Sequence, residues 1–130
     1  MDLKSRLKRL EFYLKDCESP ILVDFLKPEQ FKEPIVLEGN ISQEELYGDM
    51  SYDPEWYSKL KNSKKEGINY LIINNLPKVD KNEQKKFIHL LKDRKCNNIV
   101  LPDNTVMLVV INEGEKDLLD KDVLSYLIQV

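Results

Sequence analysis

Few side chains in this chain are placed to do chemistry. Asp24 and Glu38 each follow a short apolar run, in "PILVDFL" and "PIVLEG", and a third carboxylate, Asp49, lies in the connection after them. Acids at strand ends are what a metal-dependent nuclease uses to hold a divalent cation. The position two beyond Glu38 is Asn40 and no Glu-x-Lys follows, so the lysine that completes a common site of that kind is missing. His89, the single histidine, stands beside Leu90 and Leu91 with no Ser or Cys partner in a nucleophile motif. Cys17 and Cys96 lack Cys-x-x-Cys spacing, so no Cys/His metal cluster can be assembled; reduced thiols and a cytoplasmic setting are expected.

Amides occupy the more conspicuous positions. The apolar run "INYLIINN" ends in Asn74 and Asn75, and "VMLVVIN" ends in Asn112. An amide offers one acceptor oxygen and two N–H donors without charge, so it orients neighbours but neither holds a hard cation strongly nor takes a proton. Asn also favours turns, and at a strand end it satisfies loop backbone groups on that ground alone. A third group is aromatic: Tyr47, Tyr52, Trp56 and Tyr57 fall within "ELYGDMSYDPEWYSKL". Rings with polar handles are enriched at binding surfaces, and they also cover the core beneath long connections.

The elements that must position these groups follow from periodicity. With 130 residues, 42% hydrophobic and 33% charged, the chain suits one soluble domain over residues 1–130 with one core. Leu3, Leu7, Leu10 and Leu14 form the apolar stripe of an amphipathic helix over 2–17, stopped before Pro20. Two strand-like runs, "PILVDFL" and "PIVLEG", come next, separated by "KPEQFKE". Ser42 and Glu45 have capping-box spacing for a short helix that Gly48 can end, and Pro54 permits another. "INYLIINN" and "NTVMLVVIN" are buried strands, "KNEQKKFIHLLKDRK" is a helix with Phe87, Leu90 and Leu91 inward, and "EKDLLDKDVLSYL" is a last helix entering a terminal strand "IQV". Continuous apolar strands alternating with amphipathic helices predict an α/β three-layer sandwich around a mostly parallel sheet. In such sheets ligands sit outside the carboxyl ends of the strands, where Asp24, Asn74, Asn75 and Asn112 should lie.

Charge and hydropathy exclude some partners. Twenty basic and 23 acidic residues are interspersed for a net charge of −3, which gives no footprint for non-specific nucleic-acid binding. The cations Lys85, Lys86, Lys92, Arg94 and Lys95 read as the solvated side of a helix. "YLII" and "VMLVVI" are far shorter than the ~20 residues of a membrane span, and neither a membrane anchor nor a secretion signal is expected.

From "PIVLEGNISQEELYGD" onward the order of elements resembles the AAA+ ATPase core, most closely its MoxR-like branch and next the bacterial enhancer-binding activators. "ISQEELYGD" is similar to the family's "LSPEELLGD" turn and helix, "LIINN" stands where the Walker B acids end a strand, and "LLKDRKCNNIVLPDNTVMLVVIN" is similar to the helix, turn and sensor strand that follow. The resemblance implies a truncated P-loop NTPase-like fold. It makes Asn74 and Asn75 vestigial Walker B positions and Asn112 a vestigial sensor-1 position. Tyr126, after Ser125, stands where the family carries its arginine finger, and a neutral phenol cannot supply that charge.

Four parts of the family's machinery are then missing: the phosphate loop, the Walker B acids, the finger and the helical lid. No GxxxxGK[ST] occurs, and Lys4-Ser5 has no glycines upstream to make one. "PILVDFL" reads as the first strand after deletion of the loop; alternatively, the N-terminal helix is the family's first core helix. The resemblance implies a pseudo-ATPase with no cofactor and no metal. It would act through protein contacts, as an accessory or regulatory subunit on an AAA+ ring or on another subunit of a replication or remodelling assembly, or with itself, and Tyr47, Tyr52, Trp56 and Tyr57 form its candidate partner surface. Two alternatives stay open: a metal-dependent enzyme using Asp24, Glu38 or Asp49, and a fragment of a larger ATPase.

Overall fold

The two longest strands set the architecture, because both bury both faces. The computed structural model describes residues 2–16, 18–49, 51–63, 66–97 and 99–130; the Cys17 thiol and the end of the expected first helix fall outside them. Strand β3 (Asn69–Asn74) pairs in parallel with β6 (Thr105–Val110), with Leu71 opposite Met107 and Ile73 opposite Val109. Strands β1 (Ile21–Val23), β2 (Ile35–Glu38) and β7 (Ile128–Gln129) complete one sheet in the order β2-β3-β6-β1-β7. Every neighbouring pair in it is parallel. The runs "PILVDFL" and "PIVLEG", consecutive in the chain, are thus three strands apart in space.

Side-chain alternation divides the core into two layers. Ile21, Val23, Ile72, Val106, Leu108 and Val110 face one side, where they meet Leu10 of helix α1 (Leu3–Asp16) and Phe31 of the β1–β2 connection. Leu22, Leu71, Ile73, Met107 and Val109 face the other side. There they meet helices α2 (Gln43–Tyr47), α3 (Glu55–Lys61), α5 (Ile88–Asp93) and α6 (Lys121–Ser125), and Phe87 in the turn that links α4 (Lys81–Gln84) to α5. The result is an α/β domain with a five-stranded parallel sheet flanked by helices.

Local chemistry places the helix ends largely as the residue types dictate. Ser42 Oγ accepts from the Glu45 N–H at 3.1 Å, and Gly48 stops α2 at a φ of 70° that a side chain rarely adopts. A Cβ on Gly48 would also stand 2.7 Å from the Tyr52 carbonyl oxygen. Three expectations are corrected. Of the α1 stripe only Leu10, with Leu14 half-buried, joins the layer on the sheet face, while Leu3 and Leu7 lie outside that layer and remain exposed. The helix after Lys81 tightens into a 3-10 turn at Lys85–Phe87 and ends at Arg94, in the left-handed region at φ 54°. Lys95 therefore begins a separate antiparallel hairpin, β4 (Lys95–Cys96) and β5 (Ile99–Val100). The last helix is shorter than expected, because the Asp120 carboxylate accepts from the N–H groups of Asp122 and Val123 and starts α6 afresh after a 3-10 turn at Lys116–Leu118.

Candidate functional site

Parallel pairing gathers all five strand ends at one edge. The register sets Glu38 beside Asn74, Asn74 beside Val110, and Val110 beside Val23. Asp24, Glu38, Asn74, Asn75 and Asn112 therefore share the carboxyl edge that the sequence predicts. They do not form one constellation.

Glu38 is the centre of the first group. One carboxylate oxygen accepts from the Asn75 amide nitrogen at 2.8 Å, and the other accepts from Asn74 at 3.3 Å. Asn75 adopts a left-handed conformation at φ 59°, which Asn tolerates better than most residues, and so leads into the 3-10 turn at Leu76–Lys78. The crossing beneath is tight. The Gly39 N–H donates to the Asn74 carbonyl at 2.8 Å, and a Cβ at Gly39 would lie 2.8 Å from the Asn75 carbonyl oxygen and 2.9 Å from the Leu76 Cα. Only glycine fits there.

Asn112 faces the same edge from the end of β6. Its N–H donates to the Glu115 carboxylate at 2.7 Å, and the Glu115 N–H donates back to the Asn112 carbonyl at 3.2 Å, so the residue holds a turn. Between Asn74, Asn75, Asn112, Glu115 and the Lys27–Glu29 segment lies a cleft of about 190 Å³. That is smaller than the ~300 Å³ at which ordinary ligand pockets begin.

Asp24 belongs elsewhere. It pairs with Arg6 of α1, whose guanidinium also donates to the Val130 carbonyl at 2.8 and 3.1 Å and lies 4.4 Å from the centre of the Phe25 ring. Arg6 thereby ties α1 to the β1 end and to the last residue of the chain. Because β1 and β2 are three strand spacings apart, about 14 Å, Asp24 and Glu38 cannot share a cation. Asp49 is exposed and caps its own turn, accepting from the Ser51 N–H and hydroxyl at 2.7 Å each. Among the described residues no group of three or more His, Cys, Asp and Glu is placed to hold a metal. His89 spans from Asp93, 3.1 Å away, to the Asn97 carbonyl at 3.2 Å, and so joins α5 to the hairpin.

The aromatic cluster is corrected. Tyr47, Trp56 and Tyr57 are buried and cover the core, so the four rings do not make one exposed patch; of the four only Tyr52 is exposed, at 49%. Each buried ring satisfies its polar handle: the Trp56 indole N–H donates to the Leu46 carbonyl at 2.8 Å, and the Tyr57 hydroxyl donates to the Val100 carbonyl at 3.3 Å. The Tyr47 hydroxyl donates to the Lys86 carbonyl at 2.6 Å and accepts from the Leu90 N–H at 3.3 Å; burial pushes its pKa up to about 12. Tyr126, in the expected finger position, is half-buried against the same core layer.

Two features were not foreseen. Gln84 is fully buried and completely paired: its amide nitrogen donates to the carbonyls of Val79 and Leu118 at 3.0 Å each, and its oxygen accepts from the Asp120 N–H at 2.7 Å. Its place on the face of Phe87 and Leu91, three and seven residues on, was the available signal. The second is an open groove of about 690 Å³ between edge strand β2 and the α2–α3 segment, floored by Ile35, Leu37, Ile41, Pro54 and Trp56.

No protein-family model and no curated protein matches the chain. No helix among the described residues is long and apolar enough to cross a membrane.

Proposed function

We propose that the chain is a degenerate AAA+-like domain that works by protein contacts and neither binds ATP in the usual way nor hydrolyses it. The observation that carries this reading is the Asn74–Asn75 pair at the carboxyl end of β3, both of whose amides donate to Glu38. Walker B chemistry needs one carboxylate to hold Mg²⁺ and a second to polarise water. Here the only carboxylate in the group is engaged by two neutral donors. It lies on β2 and not on β3.

The sheet order supports the likeness. Taking β6 and β7 as the fourth and fifth core strands, the first strand lies between them and the order is similar to that of the AAA+ core. The β1–β2 connection supports the loss of nucleotide binding. It runs through residues 24–34 with a single 3-10 turn, Pro28–Gln30, where a phosphate loop and its helix would stand. Helix α1, which precedes β1, packs on the face that such a helix would cover. β1 lies inside the sheet, which favours its being the first core strand.

Calorimetric titration of the protein with ATP, with and without Mg²⁺, tests the proposal. No saturable magnesium-dependent heat is expected. Saturable binding that magnesium strengthens would overturn it.

A further inference from the structure

Strand β2 is one edge of the sheet, and the groove of about 690 Å³ runs beside it. The Gly39 N–H turns inward to Asn74, so in a parallel ladder Leu37 and Ile35 turn inward too, and Val36 turns its N–H and C=O away from β3. Outward-facing backbone groups on an edge strand are a template for a further strand. The Val36 side chain is 40% exposed on the opposite sheet face.

The groove is also charged in one sense. Among the described residues, Glu44, Glu45 and Glu55 line it against one cation, Lys59, whose ammonium is already 3.4 Å from Glu55. Tyr52, the one exposed ring of its cluster, donates to Glu44 at 3.1 Å from the groove wall. Apolar floor and acidic rim together suit side chains with an aliphatic stem and a cationic head.

We propose that this groove takes an extended peptide of a partner protein, adding to β2 as a strand, with Lys or Arg alternating with aliphatic residues. Alternation puts the basic side chains over the groove floor, within reach of the three acids, and the aliphatic ones beside Val36. A second copy of the chain fits poorly. The edge strands "IVLE" and "IQ" carry no cation, and pairing β2 with β2 would bring two sets of the same acids together. The inference rests on the reading of the chain as a protein-contact domain and names its surface and its partner's chemistry.

The test is fluorescence anisotropy of labelled acetyl-(Lys-Val)4-amide titrated with the whole chain, beside (Glu-Val)4 and (Lys-Pro)4 controls. The first control reverses charge, and the second keeps charge but cannot pair as a strand. Saturable binding of the Lys-Val peptide is expected, about 10-fold tighter than either control. Val36→Pro, which removes the outward N–H, and the exposed double change Glu44→Lys with Glu55→Lys should each weaken it about 10-fold. Circular dichroism melting checks that each variant is folded, and the charge variant decides the matter should Val36→Pro unfold. Absence of saturable binding, equal affinity for (Lys-Pro)4, or indifference to both changes would overturn the proposal. So would a wild-type dimer in sedimentation that Val36→Pro dissociates, because the groove would then serve a second copy. Magnesium-dependent ATP binding would remove the parent reading whatever the peptide does, whereas loss of peptide binding alone removes only this surface.

Discussion

The Asn75 side-chain amide donates to the Glu38 carboxylate at 2.8 Å across the ends of two neighbouring parallel strands. The carboxylate that ends β2 is thus held by two neutral amide donors from the end of β3. Placing an acid at Asn75 should harm the fold without creating chemistry. Asn75→Glu replaces the donor with a like charge and puts a longer side chain into a left-handed conformation. A loss of about 1–3 kcal/mol in urea unfolding at pH 7 is expected, partly recovered on acidification as one carboxyl takes a proton. Asn75→Gly keeps the backbone conformation and should stay within about 1 kcal/mol of the parent. ATP turnover by Asn75→Glu should remain at background.

Tyr47 gives the fold a pH dependence in the alkaline range. Burial raises its pKa in the folded chain from 10.0 to about 12. Between those values the folded state keeps a proton that the unfolded state has released, so stability falls as pH rises through that window and is fully present below it. Urea midpoints should decline from pH 10 to 12. Tyr47→Phe should flatten that decline while costing about 1–2 kcal/mol at pH 7 through the unpaired Lys86 carbonyl and Leu90 N–H.

Cys96 should be inert while the chain is folded. The residue is 1% exposed, and burial pushes its pKa up to about 11. In a Cys17→Ser background, the aromatic disulfide reagent used for thiol counting should find no reactive group in native protein at pH 8 and one in urea. The thiolate, not the thiol, is the nucleophile. Prompt native labelling would mean that the hairpin carrying Cys96 opens readily.

Gln84 should be among the most sensitive single positions. Gln84→Leu keeps the volume but leaves the Val79 and Leu118 carbonyls and the Asp120 N–H without the partner they have now. A loss of about 2–4 kcal/mol is expected, read by chemical denaturation. Glu83→Ala, next door and exposed, should change stability by less than about 0.5 kcal/mol.

The sequence by itself determined the local grammar. The continuous apolar runs in "INYLIINN" and "NTVMLVVIN" required strands buried on both faces, and the Ser42–Glu45 spacing and Gly48 set the ends of α2. Those signals operate over a few residues, so one chain segment carries them whole. The carboxyl-edge placement of Asp24, Glu38, Asn74, Asn75 and Asn112 followed from parallel pairing once the strands were known. Only the tertiary structure decided which of these groups meet. Strand order put Asp24 three strands from Glu38 and gave it to Arg6, and the same guanidinium reaches Val130, 124 residues away in sequence. It also turned three of four aromatics inward, where they join Leu46 and Leu60 of α2 and α3 in the core layer on that side of the sheet. Periodicity gives the side on which a residue lies along its own element. Which partner it finds depends on long-range packing that no local pattern encodes.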